Sequence, residues 1–282
     1  MSTHWAPGRR RTLRPPAPRP LEPRHPTPRL LAPLILTALL LVTGCASTQG
    51  VRGAPGSAPD RAGPSAPAYL RWGLAAPLPP PPKPSRPTLP ARGLPPVVDR
   101  VPTRDKVVFL TYDDGAEKDP RFVDLVRELR LPVTMFLTDS VAGPGYGHFA
   151  RLRAVGAGLQ NHTLDHAALR GLPYAGQRAE ICGQQRKLHT RFGVRPHLFR
   201  PPYGTYDATT LRAAADCGIR AVVLWRTTMT TTDLTTPRLH PGDIIAVPAT
   251  ETLTPTLKER TVHLLRRIHE QGLTVGKLDD YL

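Results

Sequence analysis

The sequence predicts an α/β domain with parallel strands, reached only after a long proline-rich lead. Short β-branched and apolar runs alternate with amphipathic helical patterns from about Lys106 to the carboxyl end, which is how strands joined by helical crossovers read. The motifs richest in acids, histidines and arginine fall just after strand-like runs, where parallel α/β folds carry their chemistry. Proline is unevenly spread, with nine in residues 1–45, fifteen in 46–105 and eleven in 106–282. At the first two densities neither helix interior nor central strand forms readily, so a packed core is expected only from about Lys106 onward.

The first segment, residues 1–44, reads as an export signal. Leu30–Val42 is an apolar run behind an arginine-rich start, short for a membrane span and suited to a signal-peptide core. Val42-Thr43-Gly44-Cys45 closes that run and resembles a bacterial lipobox, which implies cleavage before Cys45, its diacylation, and a lipid anchor in the cell membrane facing the cell wall. Residues 45–104, with four consecutive prolines at Pro79–Pro82, are expected to form a disordered, extended spacer between anchor and domain.

The domain, residues 105–282, follows in regular alternation. Lys106–Thr111 predicts a buried strand. Asp119-Pro120 opens a helix that closes before Pro132. Val133–Leu137 is a strand, His148–Val155 a helix and Gly158–Asn161 a strand. A long helix spans about Pro173–Phe192, Leu198-Phe199 leads into the turn Arg200–Gly204, and a helix covers about Asp207–Ala215. Ala221–Trp225 and Asp243–Val247 are further strands, Thr256–Gln271 is the last helix, and Thr274–Leu278 closes the chain.

The formal charge of +16 suggests a nucleic-acid partner, but its distribution argues against one. Net charge is +6 in residues 1–45, +5 in 46–105 and +5 in the remainder, and basic residues are 32 Arg to 6 Lys. No nucleic-acid-binding motif accompanies them, so no nucleic-acid partner is expected. Once Cys45 is assigned to the anchor, Cys182 and Cys217 remain, and their spacing leaves a disulfide open.

Three motifs carry the chemistry: Thr111-Tyr112-Asp113-Asp114-Gly115, His162-Thr163-Leu164-Asp165-His166 and Arg200-Pro201-Pro202-Tyr203-Gly204. Adjacent carboxylates at a strand end point in different directions and can divide metal ligation from proton transfer. His162 and His166 are four apart, which on a helix sets both rings on one side. One carboxylate and two histidines leave positions open for water and substrate, as a catalytic metal site requires. An exposed acidic turn with histidines on a helix surface is the bland alternative.

These motifs resemble those of the polysaccharide deacetylase (NodB homology, carbohydrate esterase 4) family, over about Lys106–Leu282. The resemblance implies a distorted (β/α) barrel, consistent with a segment shorter than the ~250 residues of a regular eight-unit barrel. It implies a divalent metal, most often Zn2+, held by Asp114, His162 and His166. Asp113 is similar to the general base and Arg200 to the arginine that orients and charge-balances it. The Tyr203 amide resembles the donor to the oxyanion, and Trp225 a groove-lining tryptophan. The implied reaction is removal of acetyl groups from N-acetylated cell-wall glycan by a monomeric, lipid-anchored enzyme.

One departure stands out. The family's Leu-x-His motif, whose histidine is the general acid, corresponds here to Ala246-Val247-Pro248, and proline cannot donate a proton. Loss of a general acid typically costs ~10²–10⁴ in rate. His240 and Asp233 are the nearby substitutes in sequence. Otherwise the chain is a glycan-binding pseudoenzyme, or an O-acetyl esterase whose leaving group relies less on an acid.

Overall fold

A computed structural model describes residues 66–84, 93–116, 118–249 and 254–282. The signal segment, Cys45 and part of the expected spacer lie outside these residues. The elements begin with α1 (Ala68–Arg71), β1 (Val97–Val98), β2 (Val107–Asp114), α2 (Pro120–Leu129), β3 (Val133–Leu137), α3 (Asp139–Ala142), α4 (Tyr146–Ala154) and β4 (Gly158–Asn161). They continue with α5 (Tyr174–Phe192), β5 (Leu198–Phe199), α6 (Ala208–Asp216), β6 (Ala221–Val223), β7 (Thr227–Thr228), β8 (Ile244–Val247), α7 (Leu257–Glu270) and β9 (Thr274–Val275).

The strands form one sheet in the order β1-β6-β5-β4-β3-β2-β8-β7, with β9 against β2. Every named strand pair is parallel. This is the curled, barrel-like sheet the sequence predicts, and β2 is its longest strand. Local chemistry sets the helix ends. Asp119 caps α2 by accepting the Arg121 amide at 2.8 Å, with Pro120 in the first turn. Thr256 and Glu259 form a reciprocal capping box at the start of α7.

The two faces of β2 explain where the site sits. Val108, Leu110 and Tyr112 face a large apolar layer shared with the helices, including Phe122, Leu125, Leu265 and Ile268. Val107 and Phe109 point the other way, into a second cluster with Phe136, Leu198, Val223 and Ile244. Two and four residues beyond Phe109, on that same inward face, come Thr111 and Asp113. The barrel interior is thus closed by hydrocarbon at the amino end of the strands and turns polar at the carboxyl end.

The expectation that packing begins near Lys106 is corrected. Leu74 and Val101 are buried, and Val97 and Val98 pair with Val222 and Val223 of β6. Trp72 donates through Nε1 to Glu128 at 2.9 Å, and Arg71 reaches the same carboxylate at 2.8 Å. Along the proline run, Pro79 O accepts the Thr274 hydroxyl at 2.6 Å and Pro82 O the Tyr281 hydroxyl at 2.9 Å. Proline lacks a backbone donor but keeps its acceptor, so a proline-rich strap can dock on a domain that supplies the donors. Cys182 and Cys217 form a disulfide between α5 and the end of α6.

Candidate metal and catalytic centre

Asp113 and Asp114 end β2, and their side chains part company because Asp114 turns into the left-handed region at φ 65°. Gly115 follows at φ 85°, where a Cβ would lie 2.7 Å from the Phe149 ring and 2.9 Å from Leu137. Only glycine lets the chain leave the strand there.

His162 and His166 do not share a helix, which corrects the sequence expectation. Asn161 Oδ1 accepts the Thr163 amide at 2.9 Å, Thr163 adopts φ 70° and His166 φ 57°. The loop is pinned by the Thr138 hydroxyl on His162 O at 2.8 Å and the Ser140 amide on Leu164 O at 3.1 Å. The four-residue spacing therefore works across an irregular turn. Asn161 is fully buried and donates to Ile181 O at 2.9 Å, so the Asn161-His162-Thr163 sequon is a coincidence of spelling.

One ligand atom from each of Asp114, His162 and His166 lies within 4.8 Å of the others. The buried His162 places Nδ1 2.7 Å from the Arg200 carbonyl. A carbonyl only accepts, so Nδ1 carries a proton and Nε2 is the nitrogen left to ligate. That Nε2 is 3.4 Å from Asp114 Oδ1, and His166 Nε2 is 3.2 Å from the same oxygen. Asp114 Oδ1 is buried and has no hydrogen-bond partner. Two imidazole nitrogens and one carboxylate oxygen set this close together suit a divalent ion. Burial lowers His166 against the opposing pull of Asp114, which favours the neutral, ligating form.

Arg200, fully buried at the end of β5, holds the second carboxylate. Its Nη1 donates to Asp113 Oδ1 at 2.6 Å and to Thr111 Oγ1 at 2.9 Å. Nε reaches Val223 O at 3.3 Å and Nη2 Leu224 O at 3.1 Å. The guanidinium lies 4.3 Å from the centre of the Phe136 ring. Burial lowers the Arg200 pKa while Asp113 opposes that shift. Thr111 was not singled out from the sequence; the signal was its place two residues before Asp113 on the same strand face.

Tyr203 stands in the turn at φ 60°, with its exposed ring 4.8 Å from that of His166. Trp225 is half-buried, 5.5 Å over Arg200 and against Gly204. The neighbouring Arg226 turns away to Asp99 at 3.3 Å. Asp113, Asp114, His162, His166, Arg200, Tyr203 and Trp225 are thus brought together.

Register places Pro248. Thr111 pairs with Ala246 and Tyr112 with Val247, so the next step sets Pro248 beside Asp113, on the inward face. Neither substitute acid is brought there. His240 is exposed, 3.7 Å from Asp243 at the amino end of β8, about five residue steps or roughly 16 Å from Pro248. Asp233 accepts the Leu234 amide at 2.8 Å and faces Arg267 of α7 at 3.6 Å.

Comparison with known proteins follows the same outline. The polysaccharide deacetylase family model matches residues 100–222, a stretch that holds Asp113 to Tyr203 and ends before Pro248. A Streptomyces coelicolor protein described as uncharacterized is 67% identical over 196 residues, 68% of this chain and 79% of its own length. The peptidoglycan-N-acetylglucosamine deacetylase of Bacillus cereus is 25% identical over 127 residues, 44% of this chain, and the match spans 59% of that enzyme. Among solved structures, a family 4 carbohydrate esterase pseudoenzyme from Bacillus anthracis aligns with TM-score 0.58 and 19% identity, over 66% of this chain and 69% of that one. At that identity the likeness speaks for the fold alone.

Proposed function

We propose that this chain, whose residues 100–222 match the polysaccharide deacetylase family model, is a zinc-dependent hydrolase that removes acetyl groups from N-acetylated cell-wall glycan. The observation that carries this reading is the buried, partnerless Asp114 Oδ1 faced by two imidazole nitrogens, beside a second carboxylate clamped by a buried arginine. Asp114, His162 and His166 would hold the ion. When bound, it would polarise the acetyl carbonyl and acidify a water.

The protein's own residues divide the remaining work. Asp113 accepts the proton of the attacking water. Arg200 fixes that carboxylate through a charge-assisted bond, while Thr111 and the carbonyls of Val223 and Leu224 fix Arg200. The Tyr203 turn borders the ligand trio, where its amide would face the developing oxyanion. Trp225 offers a ring for a sugar at the rim.

Pro248 favours a second reading. An amine leaves only when protonated, and an alkoxide needs less help, so a centre with proline at the strand position beside Asp113 suits O-acetyl esters or slow turnover. In the cell, Cys45 lipidation would hold a monomeric enzyme at the outer face of the membrane, with the glycan as its partner. The test is to strip the protein of metal and titrate Zn2+ back. Acetate release from N-acetylglucosamine oligomers should return in proportion to bound ion, and release that is indifferent to the ion would overturn the reading.

A further inference from the structure

At the amino ends of β4, β5 and β6, away from the catalytic centre, two adjoining concavities of about 370 Å3 and about 510 Å3 share Arg195, Pro196 and His197. Arg186 lines the first, and Arg153 and Lys277 the second. Among the described residues, Arg153, Arg186, Arg195 and Lys277 form no ion pair. The one acid lining the furrow among the described residues, Asp279, is half-buried and accepts from Gln160 and from Thr134, at 2.5 and 3.1 Å, so it is partly engaged by the fold. Helix-end dipoles account for Arg153, in the last turn of α4. They do not account for Arg195 and Lys277, which lie outside helices, or for Arg186, well inside α5.

We infer that this furrow is a binding site for a linear polyanion of repeated phosphodiester units. Three arginines to one lysine favour planar, paired donation to phosphate oxygens. A trough running through two concavities accepts a chain better than a flat bilayer. The exposed large apolar side chains, Leu70, Leu94, Leu172, Tyr174 and Tyr203, all lie outside it, so nothing in it inserts into lipid. No phenylalanine, tyrosine or tryptophan lines it, so it lacks the large rings on which successive nucleobases stack. Because the furrow and the catalytic centre occupy opposite ends of the strands, a bound polymer would hold the protein in the wall while leaving the reaction end open.

The test uses the full chain and long-chain inorganic polyphosphate, with binding followed across a salt series. The triple variant Arg153→Gln, Arg195→Gln, Lys277→Gln is compared with Arg121→Gln, Arg212→Gln, Lys258→Gln, which removes equal charge from α2, α6 and α7. The furrow triple should bind at least about tenfold more weakly, with the salt slope reduced by roughly one per cation removed, while the control triple stays near wild type. Equal loss in both triples, or loss in neither, would overturn the assignment. So would furrow-dependent binding to polygalacturonate or to phosphatidylglycerol vesicles with none to polyphosphate.

Discussion

At the ends of β2, β4 and β5, two carboxylates, two imidazoles and a guanidinium converge, each tied to backbone or to one another. One strand over, at the end of β8, the inward position beside Asp113 belongs to Pro248, followed by the buried Ala249. On the proposed reading, the first region would hold an ion and accept a proton. Neither Pro248 nor Ala249 carries an ionisable side chain. The contrast teaches that the acidic and imidazole groups are placed by β2, β4 and β5, independently of the residue that β8 sets beside Asp113.

Removing a ligand should break the first region outright. Asp114→Ala is expected to weaken Zn2+ binding, measured by calorimetric titration, by more than the ~100-fold typical of an outer partner's loss, and to abolish hydrolysis. Restoring the second region should sharpen the contrast. Pro248→His is expected to raise amide hydrolysis about 10²-fold while leaving Zn2+ affinity near wild type; no gain in acetate release would show that another residue already donates the proton. A change far from both regions should move stability alone. Leu74→Ala in the strap is expected to cost about 2 kcal/mol in chemical denaturation, with unchanged kcat.

The smallest effect concerns the loop beyond His166. Asp207 caps α6, and the Gly171 amide, followed by that of Thr210, depresses its pKa to about 2. A group depressed in the folded state contributes stability above its unfolded pKa and loses it as pH falls through the folded one. The Tm gap between wild type and Asp207→Asn should therefore be present at about pH 5 and close between about pH 4 and pH 2. A gap that stayed constant over that range would contradict the assignment.

Much of this was legible in the sequence because it is local. The continuous apolar run of β2 announces a buried strand with its carboxylates just beyond, and Asp119-Pro120 marks the start of α2. The loop carrying His162 and His166 was misread as helix because Thr163 and His166 take left-handed backbone that Asn161, Thr138 and Ser140 impose from neighbouring elements. The strands β1 and β7, at two residues each, are too short for any periodicity. The strap escaped notice because its hydrogen bonds run from proline carbonyls to residues about 195 positions away. The Cys182–Cys217 bridge needed α5 and α6 packed together, with Cα atoms 5.1 Å apart.

The most direct test of the central claim is acetate release by the zinc-loaded protein from N-acetylglucosamine oligomers, set against Asp113→Ala at equal bound zinc. Release clearly above the variant is the predicted result. No release above it, with zinc still bound, would contradict the assignment as an N-deacetylase and leave a metal-holding protein whose chemistry stops at the glycan's surface.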